Sequence, residues 1–148
     1  MTTLGDMNPV RDIVLVFLGG GLGALARYGI GVALALVAGR NFPWGTLAAN
    51  LIGCLLVGVI GQRVIQLEPL PGGELAGANP ALAHFLRVAV MVGFLGGLTT
   101  FSAFGWETMS RLVDKNSTQQ LLGLVNIGAN LVLGLLAVWA GMQVAKLV

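Results

Sequence analysis

Of 148 residues, 56% are hydrophobic and 9% charged, and the mean hydropathy is +0.88. A soluble domain carries about 25% charged residues, so the chain reads as an integral membrane protein. At roughly 20 apolar residues per spanning helix, the length allows about four helices and no sizeable soluble domain. A net charge of +2 is too small to imply a nucleic-acid partner, and a single cysteine, Cys54, excludes an intrachain disulfide.

The first twelve residues are short and polar. They lack the basic leader of a signal peptide, and the apolar run after them is too long for one, so no cleavage is expected. A first helix is predicted over residues 13–37. Gly19 and Gly23 form a G-x-x-x-G pair on one face, the pattern that lets membrane helices approach closely. Arg27 lies inside this apolar span. An intramembrane arginine costs about 2.5–3.5 kcal/mol on insertion scales, so it must face protein, water or an anion unless it snorkels to an interface.

After a short turn over 40–43, Trp44 stands where an interfacial aromatic belongs. A second helix is predicted over 44–65. Thr46 and Asn50, four apart, share a face. Asn50 is either interhelical glue or, through its NH₂, an anion donor. Ala49, Gly53 and Gly61 mark a nearby stripe of small residues, and Cys54 reads as one more packing residue.

Residues 68–80, with three prolines, three glycines and two glutamates, form the one long loop, in which no chemistry is legible. His84 reads as an interfacial residue. A third helix is predicted over 85–111, and its centre is anomalous. Gly96-Gly97-Leu98-Thr99-Thr100-Phe101-Ser102-Ala103-Phe104 holds two adjacent glycines and three hydroxyl residues, a poor recipe for a continuous helix. Backbone broken at bilayer depth is tolerated only inside protein or beside a water-filled cavity, and such breaks commonly coordinate ions. The stretch is therefore either an ion site or a flexible glycine-rich contact. Glu107 and Asp114 read as solvated charges. After a turn over 114–117, a fourth helix is predicted over 121–144. Asn126, Asn130 and Gly134 recur every four residues along one of its faces, as glue or as pore lining.

Four helices put both termini on one side, with Arg11, Arg63, Arg87 and Lys146. The other side carries Arg40, Arg111 and Lys115. Four against three is almost no positive-inside bias, which permits insertion in both orientations. Two oppositely oriented copies could then pair, and the chain has no internal repeat to supply that symmetry itself.

These segments resemble the CrcB/Fluc family of fluoride channels. The likeness rests on Gly20-Gly21-x-Gly23-Ala24-x-x-Arg27-Tyr28, on Gly45 to Gly53, on Gly93 to Phe104, and more weakly on Gly134 to Val138. It covers all four helices in order. What the resemblance implies is an all-α, dual-topology antiparallel homodimer in a bacterial-type inner membrane, its third helix broken mid-membrane. Such a dimer has two pores and a central structural sodium ion. The sodium would be held by backbone carbonyls at Gly96 and Thr99. Phe101 and Phe104 would line the pore, their ring edges carrying the positive part of the aromatic quadrupole. Asn50 would donate to desolvating fluoride, and Arg27 would stand near the pore entrance. Many relatives carry a hydroxyl residue where Ala103 stands, and a tyrosine and a serine where Asn126 and Asn130 align.

Fluoride is strongly hydrated, so a pore must replace its water with donors that are fixed yet weak enough to release it. Asn50, Thr46, Ser102, Asn126 and Asn130, interleaved with Phe101 and Phe104, fit that compromise. Two other readings compete. A proton-coupled small multidrug exporter needs a carboxylate within the first helix, and this one has none after Asp12. A non-transporting membrane assembly subunit explains the glycines but not the asparagines. The Cys/His clusters and phosphate-binding loops of enzymes are missing from the sequence.

Overall fold

In a computed structural model the described residues are 8–68 and 79–147, and these are helical apart from short connections. The polar leader before Asn8 and most of the 68–80 loop lie outside them. Helix α1 is Pro9–Val37 and α2 is Trp44–Leu67. Helix α3 starts at Pro80–Phe85, widens into a π-helical run over Leu86–Leu95, and ends with Gly96–Leu98. Helix α4 is Phe101–Leu112. Helix α5 spans Ser117–Leu147, with a second π-helical run at Ala129–Leu133. By length and composition, four stretches can cross a membrane: α1, α2, Pro80–Leu112 and α5.

Helix starts are set by local chemistry. Asn8 and Asn79 accept from the N–H of Arg11 and Leu82 at 3.1 and 3.0 Å, and a proline follows each at the first helical position. These caps start α1 and α3 earlier than residues 13 and 85. Asn116 caps α5 at Ser117 in the same way. Helix α1 is followed by Gly39, whose φ of 77° is the only positive value among the described residues. Trp44 then opens α2 beside Phe42, their ring centroids 4.7 Å apart.

Packing is backbone against backbone. A methyl group on Gly19 would sit 3.0 Å from the Phe94 nitrogen and 3.2 Å from the Gly93 Cα. Gly23 lies against Phe94 and Leu98, and Gly97 lies against Gly20. The small face of α1 is thus pressed onto α3, the kind of approach that gives membrane helices dispersion contact without a hydrophobic drive. Gly58 and Gly141 bring α2 and α5 together similarly. Gly61, expected in the α2 stripe, has only the Met91 side chain near it. The core is small: Ala49, Leu95 and Leu98 are buried. Large side chains such as Phe17 and Leu36 point outward, as lipid-facing residues do.

Polar contacts tie the helix ends. Both carboxylate oxygens of Asp12 lie 3.0–3.1 Å from His84 Nε2, joining the start of α1 to α3. His84 is therefore part of an interhelical pair as well as an end residue. Arg87 pairs with Glu68 at the same end.

Candidate functional site

The site forms where the third spanning stretch leaves helical geometry. Thr99 (φ −82°, ψ 153°) and Thr100 (φ −151°, ψ 118°) are extended. Ending α3 and starting α4 would normally leave backbone groups without partners. Here the Thr99 N–H and hydroxyl both donate to the Leu95 carbonyl at 2.9 Å. The Thr100 hydroxyl accepts from the Ala103 N–H at 3.2 Å and caps α4.

Asn50 reaches Thr100 from α2. Its Oδ1 accepts from the Thr100 N–H at 2.9 Å, and its Nδ2 donates to the Thr100 carbonyl at 3.3 Å. A side-chain amide thus pairs with both backbone groups of one extended residue, as a neighbouring strand would. Asn50 Nδ2 also donates to Asn130 Oδ1 at 2.9 Å. Asn130 Nδ2 donates back to the carbonyl and the Oδ1 of Asn126, each at 3.0 Å. Asn126 Nδ2 donates to Thr108 Oγ1 at 2.8 Å. Asn126 is fully buried and Thr108 nearly so. Polar groups this deep are tolerated because they are bonded to one another.

Beside this network runs an open groove of about 390 Å³. Its walls include Asn50, Asn130, Gly96, Thr99, Thr100, Phe101 and Phe104. The two phenylalanine rings are 5.6 Å apart and inclined at 56°. Phe101 is 81% exposed on the groove's open side.

The remaining sequence-derived candidates fall outside the groove lining. Ser102 is exposed, its hydroxyl 3.3 Å from that of Thr100. Asn126 is enclosed between α4 and α5 rather than lining a surface. Arg27 is half-buried on α1, and its Nε is buried without a hydrogen-bond partner among the described residues. Thr46 points to a second cleft of about 240 Å³, shared with Arg40, Glu107 and Arg111.

That cleft corrects the reading of Glu107 as a solvated charge. Its Oε1 accepts from the Thr46 hydroxyl at 2.8 Å, and its Oε2 is buried with no partner among the described residues. The physical reason is the helical restart at Phe101. It puts Phe104, Glu107, Thr108 and Arg111 at spacings of three and four, hence on the inward side. Asp114, beyond the end of α4, is exposed as expected. Arg111 donates to the carbonyls of Glu107 and Asn41 at 2.9 and 3.4 Å, bracing the α1–α2 turn against α4. Thr108 carried no sequence signal apart from its place four residues after Phe104.

A family model described as CrcB-like protein, Camphor Resistance (CrcB), matches residues 14–142. The chain belongs to the CrcB family. Among its CrcB relatives is a fluoride-specific ion channel FluC of Hahella chejuensis, 44% identical over 139 residues. That match covers 94% of this chain and 98% of the relative. Proteins of the same name from Clostridium perfringens and Solibacter usitatus are 40% and 37% identical. They align over 95% and 90% of this chain and 98% and 97% of their own lengths. Among the segments that carry the CrcB resemblance, Gly20 to Tyr28 and Gly93 to Phe104 build the α1–α3 contact, and Asn50 with residues from Gly96 to Phe104 lines much of the groove.

Proposed function

We propose that this protein is a fluoride-selective channel through which the anion leaves the cytoplasm passively, protecting the cell from fluoride toxicity. The observation that carries the reading is the groove. It sets a phenylalanine pair beside an asparagine-braced, interrupted helix, in a chain whose relatives, aligned over nearly their whole lengths, are named fluoride-specific ion channels.

The chemistry of the groove supports this. It is mostly apolar, so an ion entering it sheds water and needs replacement donors. Ring edges of Phe101 and Phe104 supply weak ones. The Thr100 hydroxyl, which accepts from the Ala103 N–H, keeps a hydrogen of its own to donate. The 3.3 Å contact from Asn50 Nδ2 to the Thr100 carbonyl is the longest of that side chain's bonds, and an anion would compete for that hydrogen first. Among the described residues, no Lys or Arg lines the groove to trap the ion.

In this reading the open side of the groove is closed by a second, oppositely inserted copy, giving an antiparallel homodimer with two pores in the bacterial inner membrane. Exposed Phe101, Val92 and Leu131 stand on faces such a copy would cover. A structural sodium ion fits the same arrangement. The Thr100 N–H, which would close a helical turn onto the Gly96 carbonyl, is turned to Asn50 instead. Gly96 is exposed. Carbonyls of Gly96 and Thr99 from two copies would replace the hydration oxygens of a hard cation. A proton-coupled exporter is disfavoured, because the α1 carboxylate, Asp12, is held by His84 at the helix start.

The test is efflux from liposomes carrying the purified protein, followed with fluoride and chloride electrodes in sodium and in a bulky organic cation. Rapid sodium-dependent fluoride loss without chloride loss is expected. A folded dimer that passes no fluoride overturns the channel and favours the assembly-subunit reading. Phe101→Ile and Phe104→Ile are each expected to lower fluoride flux at least tenfold, the scale of about 1.4 kcal/mol in a barrier. Size-exclusion elution should not change. Full flux in both variants would remove the rings from the path.

A further inference from the structure

The hydrogen bonds that begin at Thr100 pass through Asn50 on α2 and Asn130 and Asn126 on α5 and return to α4 at Thr108, and their polarity can be read without ambiguity. A backbone N–H only donates and a carbonyl only accepts, so Asn50 must turn Oδ1 to the Thr100 N–H and Nδ2 to the Thr100 carbonyl. Its second N–H then meets Asn130 Oδ1. The orientation of Asn130 is set independently, because its Nδ2 also faces the backbone carbonyl of Asn126. With Asn126 Oδ1 accepting from Asn130, Asn126 Nδ2 must donate to Thr108, whose hydroxyl is the acceptor. No link can be reversed without setting two donors or two acceptors face to face.

We infer that Thr108 and Asn126 are positioning residues, which act through Asn130 to hold the Asn50 carboxamide in the orientation that pairs with Thr100. Neither lines the groove, and Asn126 is fully buried. The widened backbone at Ala129–Leu133 carries Asn130 between them and α2; such π segments recur at functional sites. Removing the Thr108 hydroxyl leaves the buried Asn126 N–H without its acceptor. The amide's cheapest remedy is to rotate, which misaligns Asn130 and frees Asn50. The functional consequence rests on the channel reading; the geometric one does not.

The experiment combines nitrogen-15 NMR of the Asn50 side-chain NH₂ in detergent-solubilised protein, assigned by its loss in Asn50→Ser, with fluoride efflux. Thr108→Val, nearly isosteric, is expected to move the Asn50 resonance and lower flux about tenfold, the scale of one unsatisfied buried donor. Thr108→Ser, which keeps the hydroxyl, should restore both. Thr108→Val combined with Asn126→Leu should be no worse than the more damaging single change, because both act along one path. An unmoved Asn50 resonance in folded Thr108→Val overturns the inference, as does failure of serine to restore it. If unmutated protein passes no fluoride yet the resonance follows the hydroxyl, the positioning role stands and the channel reading falls.

Discussion

Asn50→Asp is expected to reduce fluoride flux by more than a hundredfold. Asp keeps the oxygen that accepts from the Thr100 N–H, but it replaces the donating nitrogen with a second oxygen. That oxygen would face the Thr100 carbonyl and Asn130 Oδ1, two acceptors at 3.3 and 2.9 Å. Each loses its donor, at about 1–3 kcal/mol per buried unsatisfied group. The new negative charge also lies on the wall of the groove, where it opposes an entering anion in a medium that screens poorly. Thermal unfolding in detergent measures the lost donors, with a lowered midpoint expected. Efflux from liposomes measures the combined effect on the ion path. Asn50→Asp protein with normal flux and midpoint would assign Asn50 to ordinary packing.

Gly23→Leu should prevent the native α1–α3 association altogether. Even the first added carbon of the new side chain would overlap the Phe94 carbonyl oxygen and lie 2.8 Å from the Leu98 nitrogen. These are backbone atoms of a helix and cannot swing aside, so α1 must move away from α3. Overpacking of side chains costs about 1–3 kcal/mol, and a clash against backbone should exceed that. The contacts at Gly19 and Gly97 would open with it. Aggregation or loss of the monodisperse peak on size exclusion is the expected result. Gly21→Ala is the control, since an added methyl there meets nothing within 4 Å. Normal elution of Gly23→Leu would show that α1 is not held by this contact.

Much of the architecture was legible locally. Hydropathy alone separated four spanning stretches. The Gly19–Gly23 spacing marked the α1 face that meets α3, and the Thr46–Asn50 spacing marked the α2 face that reaches the third stretch. The Asn-Pro pairs at 8–9 and 79–80 were available as cap signals; reading apolar runs alone starts those helices late. Gly96 and Gly97 invited the assumption that glycines interrupt the third helix, yet both belong to its last helical turn, and Gly97 serves to admit α1. The extended residues are the two threonines.

Sequence by itself determined that this chain lives in a membrane as a few close-packed helices, because apolar content and small-residue spacing are local properties that act residue by residue. Tertiary structure decided where the polar groups go. Asn126 turned inward, Glu107 came off the solvated surface to meet Thr46, and Asn50 became the partner of the half-buried extended backbone at Thr100. A buried hydrogen bond needs a specific partner at about 3 Å, and the partners that join different helices here lie 18 to 80 residues apart in the chain. Spacing along one helix can place a donor on a face, but only the packing of the helices determines what it finds there.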